Sequence, residues 1–136
     1  MAGVLVLAAV IAWLLCRRSK LMKLSAISLA REELRKIIAE YEKEPDPVKL
    51  LRQVSVLLRR VSISLFPRTE VASLIGEEWL KFLDQPLTGQ PFSTGKGRIL
   101  TEAPYRHELA TDDIETLLKH CRDWIDTVAV TAGGRK

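Results

Sequence analysis

The sequence predicts an all-α protein: an N-terminal transmembrane helix followed by a small cytoplasmic helical bundle. Three observations predict it. An uncharged apolar run, "AGVLVLAAVIAWLLC", occupies Ala2 to Cys16 and is followed at once by the basic stretch "RRSKLMK". Apolar residues then recur three and four apart in separate segments near 27–41, 51–65 and 114–128, the spacing of a helix face rather than of a strand. Prolines and glycines fall between these segments, where helices stop.

The anchor comes first. Fifteen helical residues rise about 22 Å, whereas a bilayer core is about 30 Å thick. Two remedies exist for the short span. Arg17 and Arg18 can snorkel so that Leu21 and Met22 stay helical near the interface, or the gene start lies upstream of Met1. A cleaved signal peptide carries its charge before the apolar run and a small-residue site after it, the reverse of the order here. Cys16 follows Leu14 and Leu15, where a lipoprotein signal needs small residues. Basic residues Arg17, Arg18, Lys20 and Lys23 flank the span and remain on the cytoplasmic side. The expected layout is an anchor over residues 1–22 with its N-terminus outside, a cytoplasmic helical domain over 23–130 and a flexible tail over 131–136. The competing reading, a core helix of a soluble protein, requires the rest of the chain to cover this run.

In the domain, Ile27, Ala30, Leu34, Ile37, Ile38 and Tyr41 mark an amphipathic helix over about 25–43, which can continue straight from the span. "EKEPDP" interrupts it, and Asp46 with Pro47 supplies an N-cap and first-turn proline for a second helix. There Leu51, Val54, Leu58, Val61 and Leu65 form one stripe while Val56 and Ile63 lie seven apart on another side, as expected of a central helix. Pro67 ends it. A short turn is expected over Glu70 to Leu74, then Gly76 breaks the chain before "EEWLKFLD", whose Glu77 and Glu78 suit a positive helix end. Residues 85–110, with apolar anchors at Leu87, Phe92, Ile99, Leu100 and Tyr105, are expected either to pack down or to form a brief extended segment around "GRILTE", because structureless loops this long are uncommon. The last helix is expected to start at the N-cap Thr111 and to bury Ile114, Leu117, Leu118, Cys121, Trp124, Ile125 and Val128.

Composition narrows function. The 136 residues suffice for one domain with its own core, and the formal net charge is +4. Four basic residues lie before Leu24; removing them from 21 leaves 17 basic against 17 acidic from Leu24 onward. A neutral domain argues against nucleic-acid binding, which needs clustered Lys and Arg. Two cysteines form no disulfide framework or CxxC motif.

Sites of chemistry are equally sparse. "STGKGR" fails as a phosphate loop, because five residues separate Gly89 from Gly95 and Gly97 follows Lys96 where a hydroxyl is needed. His107 and His120 are the only histidines, and His120 and Cys121 diverge by about 100° on a helix, so no metal or cofactor site is expected. Glu77 or Glu78 with His107 is the one acid–base set an enzyme, a hydrolase or transferase, could use. Arg59 and Arg60 are suited to an acidic partner or a lipid phosphate, or else pair with Glu70 or Asp84. Trp79, beside Leu80, Phe82 and Leu83, reads as core before hot spot.

Three stretches carry a resemblance: "LLRRVSISLFPRTEVASLIGEEWLKFLDQP", "FSTGKGRILTEAPY" and "CRDWI". Together they resemble the bacterial domain-of-unknown-function 4381 family, through Arg59, Arg60, Pro67, Arg68, Gly76, Trp79, Asp84, Gly95, Gly97, Pro104, Tyr105 and Trp124 among others. Ile75 stands where the family often has Thr. Family members also carry a Pro- and Trp-rich segment before the span, whereas this chain starts inside it. The resemblance implies a single-pass protein of the bacterial inner membrane with a small helical domain. Such proteins are encoded beside MoxR-type AAA+ ATPases and membrane proteins with von Willebrand factor A domains. It implies no catalytic residues. The expected function is therefore a non-enzymatic accessory that binds partner proteins of such a system in assembly or envelope integrity. Its expected contact surface is Arg59, Arg60 and Arg68 with the glycine loop Phe92, Gly95, Gly97 and Tyr105; a lipid-headgroup module and an enzyme are the alternatives.

Overall fold

The computed structural model describes residues 2–102 and 109–134. Among them every regular element is helical, as the periodicity predicts. The first, α1 (Ala2–Lys43), is one unbroken helix of 42 residues, about 63 Å long. Its two halves obey different physics. From Ile27 onward Ala30, Leu34 and Ile37 are buried, and Ile38 and Tyr41 pack against the same core. From Ala2 to Cys16 the helix is apolar all round, and none of its most apolar 18-residue window is buried. No single neighbouring helix could cover a circumference that is apolar on every side. The rest of the chain leaves it uncovered, and the helix is long and apolar enough to cross a membrane by length and composition.

The second helix, α2 (Pro47–Leu65), returns antiparallel along the C-terminal half of α1. Asp46 caps it by accepting a hydrogen bond from the Lys49 amide at 3.2 Å, with Pro47 in the first turn. Leu50, Leu51, Val54, Leu57, Leu58 and Val61 are buried, and Ser62 buries its hydroxyl by donating to the Leu58 carbonyl at 2.8 Å. α2 contacts α1, α6 and the short helices, which makes it central. On its second apolar side Ile63 packs against the edge of the core, whereas Val56 stays half exposed. Phe66 is extended before Pro67, as a residue preceding proline must be.

The short α3 (Arg68–Val71) starts directly after Pro67, two residues earlier than the expected turn at Glu70. Gly76 then takes φ +55° with open space around it. It is backbone handedness that calls for glycine there. It opens α4 (Gly76–Asp84), whose Trp79, Leu80, Phe82 and Leu83 are all buried. Phe82 stacks on Trp79 with centroids 5.7 Å apart and meets Phe66 edge-on at 5.2 Å. The stretch "GRILTE" is helical, not extended: a 3₁₀ turn (Lys96–Arg98) leads into α5 (Ile99–Glu102). Ile99 and Leu100 are both buried. An extended segment would send these neighbours to opposite faces, and here only one face has a core.

The last helix, α6 (Thr111–Gly134), buries all seven expected residues. Its hydrogen bonding starts one residue early, the Ile114 amide donating to the Ala110 carbonyl at 3.2 Å, so Thr111 is the first helical residue instead of the cap. Helical backbone continues to Gly134 through much of the expected tail. Arg31 on α1 meets Asp126 on α6 at 3.1 Å, and Lys23 lies with Val128 and Thr131. α6 is therefore antiparallel to α1 and ends beside Lys23, where the apolar half of α1 leaves the bundle. The buried indoles of Trp79 and Trp124 leave their Nε1–H groups without a protein acceptor, each costing about 1–3 kcal/mol against the large apolar area that the rings bury.

Candidate functional site

Arg59 and Arg60 are adjacent on α2, so their side chains leave the helix about 100° apart. The structure gives them different tasks. The Arg59 guanidinium lies 3.9 Å from the centroid of Trp79 and donates from NH1 to the Val71 carbonyl at 3.1 Å. It thereby ties α2 to both α3 and α4. Partial burial draws its pKa down from the ordinary arginine value, although a guanidinium stays charged at any working pH. Neither Glu70 nor Asp84 is its partner. Arg60 is exposed and stands where two shallow grooves meet, one with Val56 and Ile63, the other with Leu29 and Leu57.

This division predicts a contrast. Arg59→Ala is expected to lower stability by about 1–3 kcal/mol, through the lost stacking and hydrogen bond. Arg60→Ala should stay within about 0.5 kcal/mol of the parent. Chemical denaturation of the two variants checks it.

The glycine loop packs inward instead of forming an open surface. Asp84, at the end of α4, is buried and accepts the amides of Phe92 at 2.7 Å and Ser93 at 3.0 Å. Phe92 is fully buried, and its ring meets His120 edge-on at 6.2 Å. A Cβ on Gly97 would sit 2.6 Å from Phe92 Cδ1 and 2.7 Å from Phe92 Cα; one on Gly95 would sit 2.7 Å from the Pro91 carbonyl oxygen. These glycines permit close approach of the chain to itself. Lys96, the lysine of the phosphate-loop look-alike, pairs with Asp113 of α6 at 2.8 Å.

Arg98 closes the loop from outside. It bonds Glu102 at 2.9 Å, Glu77 at 2.9 Å and the Ser93 carbonyl. Hydrogen bonds to Glu102 first and Glu77 second hold its pKa above the ordinary value. As expected partner contacts, Phe92 and Gly97 are thus corrected to interior supports. Arg68 and Gly95 are exposed, and Tyr105 lies outside the described residues.

Glu77 is thus committed to Arg98, and Glu78 is exposed one position further round the helix. His107, the base in the enzyme alternative, lies outside the described residues. His120 has its pKa lowered, first by burial. Burial pushes the Cys121 thiol up to about 12, leaving it protonated and unreactive. Among the described residues no three His, Cys, Asp or Glu side chains gather closely enough to hold a metal ion.

Two surfaces went unnoticed in the sequence. Leu29 is 68% exposed on α1 and Val56 is 50% exposed on α2, flanking Arg60 with apolar surface that water disfavours. The signal for Val56 was its place on a second apolar side of α2. A second groove lies at the end of the bundle from which the apolar half of α1 emerges. Leu65, Phe66, Phe82, Pro86 and Val128 line it, with Lys23 at its edge. Of the flanking basic residues, Arg17 lies 5.4 Å from the Trp13 ring one turn earlier, and Arg18 and Lys20 are exposed.

A family model described as a domain of unknown function (DUF4381) matches residues 1–127. No curated protein and no solved structure matches the chain.

Proposed function

The chain belongs to the domain-of-unknown-function family DUF4381, and from that premise we propose that it is a non-enzymatic, membrane-anchored accessory protein whose cytoplasmic domain captures partner proteins. The observation that carries this reading is the Arg60 face. A cation stands between two grooves, with Leu29 and Val56 exposed beside it, on two helices, α1 and α2, that share a core. Apolar anchors around an arginine are the composition that protein interfaces favour. A complementary partner presents apolar side chains and a carboxylate to Arg60.

The anchor gives the surface its purpose. Because α1 passes unbroken from its apolar half into the bundle, the capture face is held at a fixed height above the bilayer. Confinement to that layer raises the effective concentration of the domain toward membrane-bound partners. The topology proposed is N-terminus outside and domain cytoplasmic, since Arg17, Arg18, Lys20 and Lys23 stay on the cytoplasmic side of a first helix. The family resemblance supports a MoxR-type AAA+ ATPase or a von Willebrand factor A domain protein of a bacterial inner membrane as the partner. Chemical crosslinking in native membranes, followed by mass spectrometry of what the full-length chain retains, tests the reading. Recovery of either protein is the expected result; recovery of neither removes the accessory role.

A further inference from the structure

We propose that the groove at the base of the bundle binds an anionic phospholipid of the bilayer that α1 enters, the acyl chain lying among the ends of α2, α4 and α6 and the phosphate meeting Lys23. The inference rests on the anchoring reading above. Position is the first argument. Counted from the first flanking arginine, Arg17, Lys23 is only about 9 Å further along the helix. The groove mouth therefore stands at the membrane interface.

The surface around it agrees with that height. Leu21 and Met22 on α1 are 57% and 64% exposed and Val130 on α6 is 72% exposed, all at this end of the bundle. Such side chains are disfavoured in water and suited to the boundary between headgroups and acyl chains. The groove continues the same apolar surface inward between helices that are otherwise packed.

Lining chemistry fits this position. Its walls are Leu65, Phe66, Phe82, Pro86, Trp124 and Val128, and its polar members are Lys23, Gln85 and Thr131. Among the described residues no carboxylate lines it. The groove between α1 and α6 mixes Arg31, Arg35 and Arg122 with Asp126, and the groove beside Leu29 mixes Lys36 and Arg60 with Glu32 and Glu33; both lie further along α1 from its apolar half than Lys23 does. A volume of about 320 Å³ falls within the range of sites that hold small organic groups. An apolar slot with one ammonium and two neutral polar groups at a membrane surface matches an acyl chain joined to a phosphate.

Full-length protein in nanodiscs tests this with lipids brominated on the acyl chain, which quench nearby tryptophan. In a Trp79→Phe background, which removes the third tryptophan, the Trp13→Phe chain reads the groove through Trp124, and the Trp124→Phe chain reads the anchor through Trp13. A small fraction of brominated phosphatidylglycerol should quench the Trp13→Phe chain more than the same fraction of brominated phosphatidylcholine. Lys23→Ala, a surface change that spares the core, should reduce that preference about fivefold, and Val128→Phe, which fills the slot, should abolish the quenching. Equal quenching by the two headgroups overturns the proposal, as does quenching that survives Val128→Phe. Absence of quenching by either lipid overturns it too, leaving the slot to a polypeptide segment. If Trp13 in the Trp124→Phe chain escapes quenching, it is the anchoring reading that fails.

Discussion

Asp84→Ala is expected to destabilise the domain by about 2–4 kcal/mol, lowering Tm by roughly 10–20 °C. The carboxylate is 7% exposed and accepts both the Phe92 and Ser93 amides. Bonds to a charged acceptor are stronger than neutral ones, and removing the acceptor strands two donors in the interior. Phe92 would also lose the fixed point that holds its ring beneath α6. Asp84→Asn separates the contributions, because its amide oxygen can still accept while its NH₂ faces another donor. It should fall between the parent and alanine. Thermal denaturation of the full-length chain in detergent measures both; an alanine variant within about 0.5 kcal/mol of the parent would mean that the loop is not held from Asp84.

Gly97→Ala is expected to cost about 3 kcal/mol by a different mechanism. The backbone at Gly97 is unremarkable in handedness, but an added methyl overlaps both the ring and the Cα of Phe92. A flexible side chain could move aside, whereas a backbone atom cannot without shifting the loop. Phe92→Ala should therefore fail to rescue Gly97→Ala, since the overlap with Phe92 Cα remains. At Gly76 the positive φ is the constraint and space is open, so Gly76→Ala should cost only about 1 kcal/mol. Urea titration of the three glycine and double variants distinguishes overlap from handedness; rescue by Phe92→Ala would show that only the ring had been in the way.

The helices could be read from the sequence because each stripe is a local pattern. Ile27 to Tyr41 and Ile114 to Val128 carry their own period, and Asp46 with Pro47 announces a helix start by chemistry within four residues. "GRILTE" could not be read the same way: six residues are too few for a period, and its helicity follows from which neighbours bury Ile99 and Leu100. Arg59 and Arg60 show a second limit. They are chemically identical neighbours, and the distinction between them is the Trp79 ring twenty residues away.

The glycine loop shows a third. Glycine signals that some backbone or ligand comes close, without saying which. Here it is the loop's own Pro91 and Phe92. The grooves beside Leu29 and at Lys23 were the hardest to see, since an uncovered apolar residue is recognisable only after its neighbours are placed.

Separation of folding from capture between Arg59 and Arg60 gives the most direct measurement. Crosslinked partner yield from native membranes would be compared for the parent, Arg60→Glu, and Lys119→Glu on α6, which lines neither groove, with Tm recorded for each. Charge reversal at Arg60 should cut the yield about tenfold at unchanged Tm, while Lys119→Glu captures as the parent does. Equal capture by all three chains at equal stability would contradict the assignment of this face to partner binding.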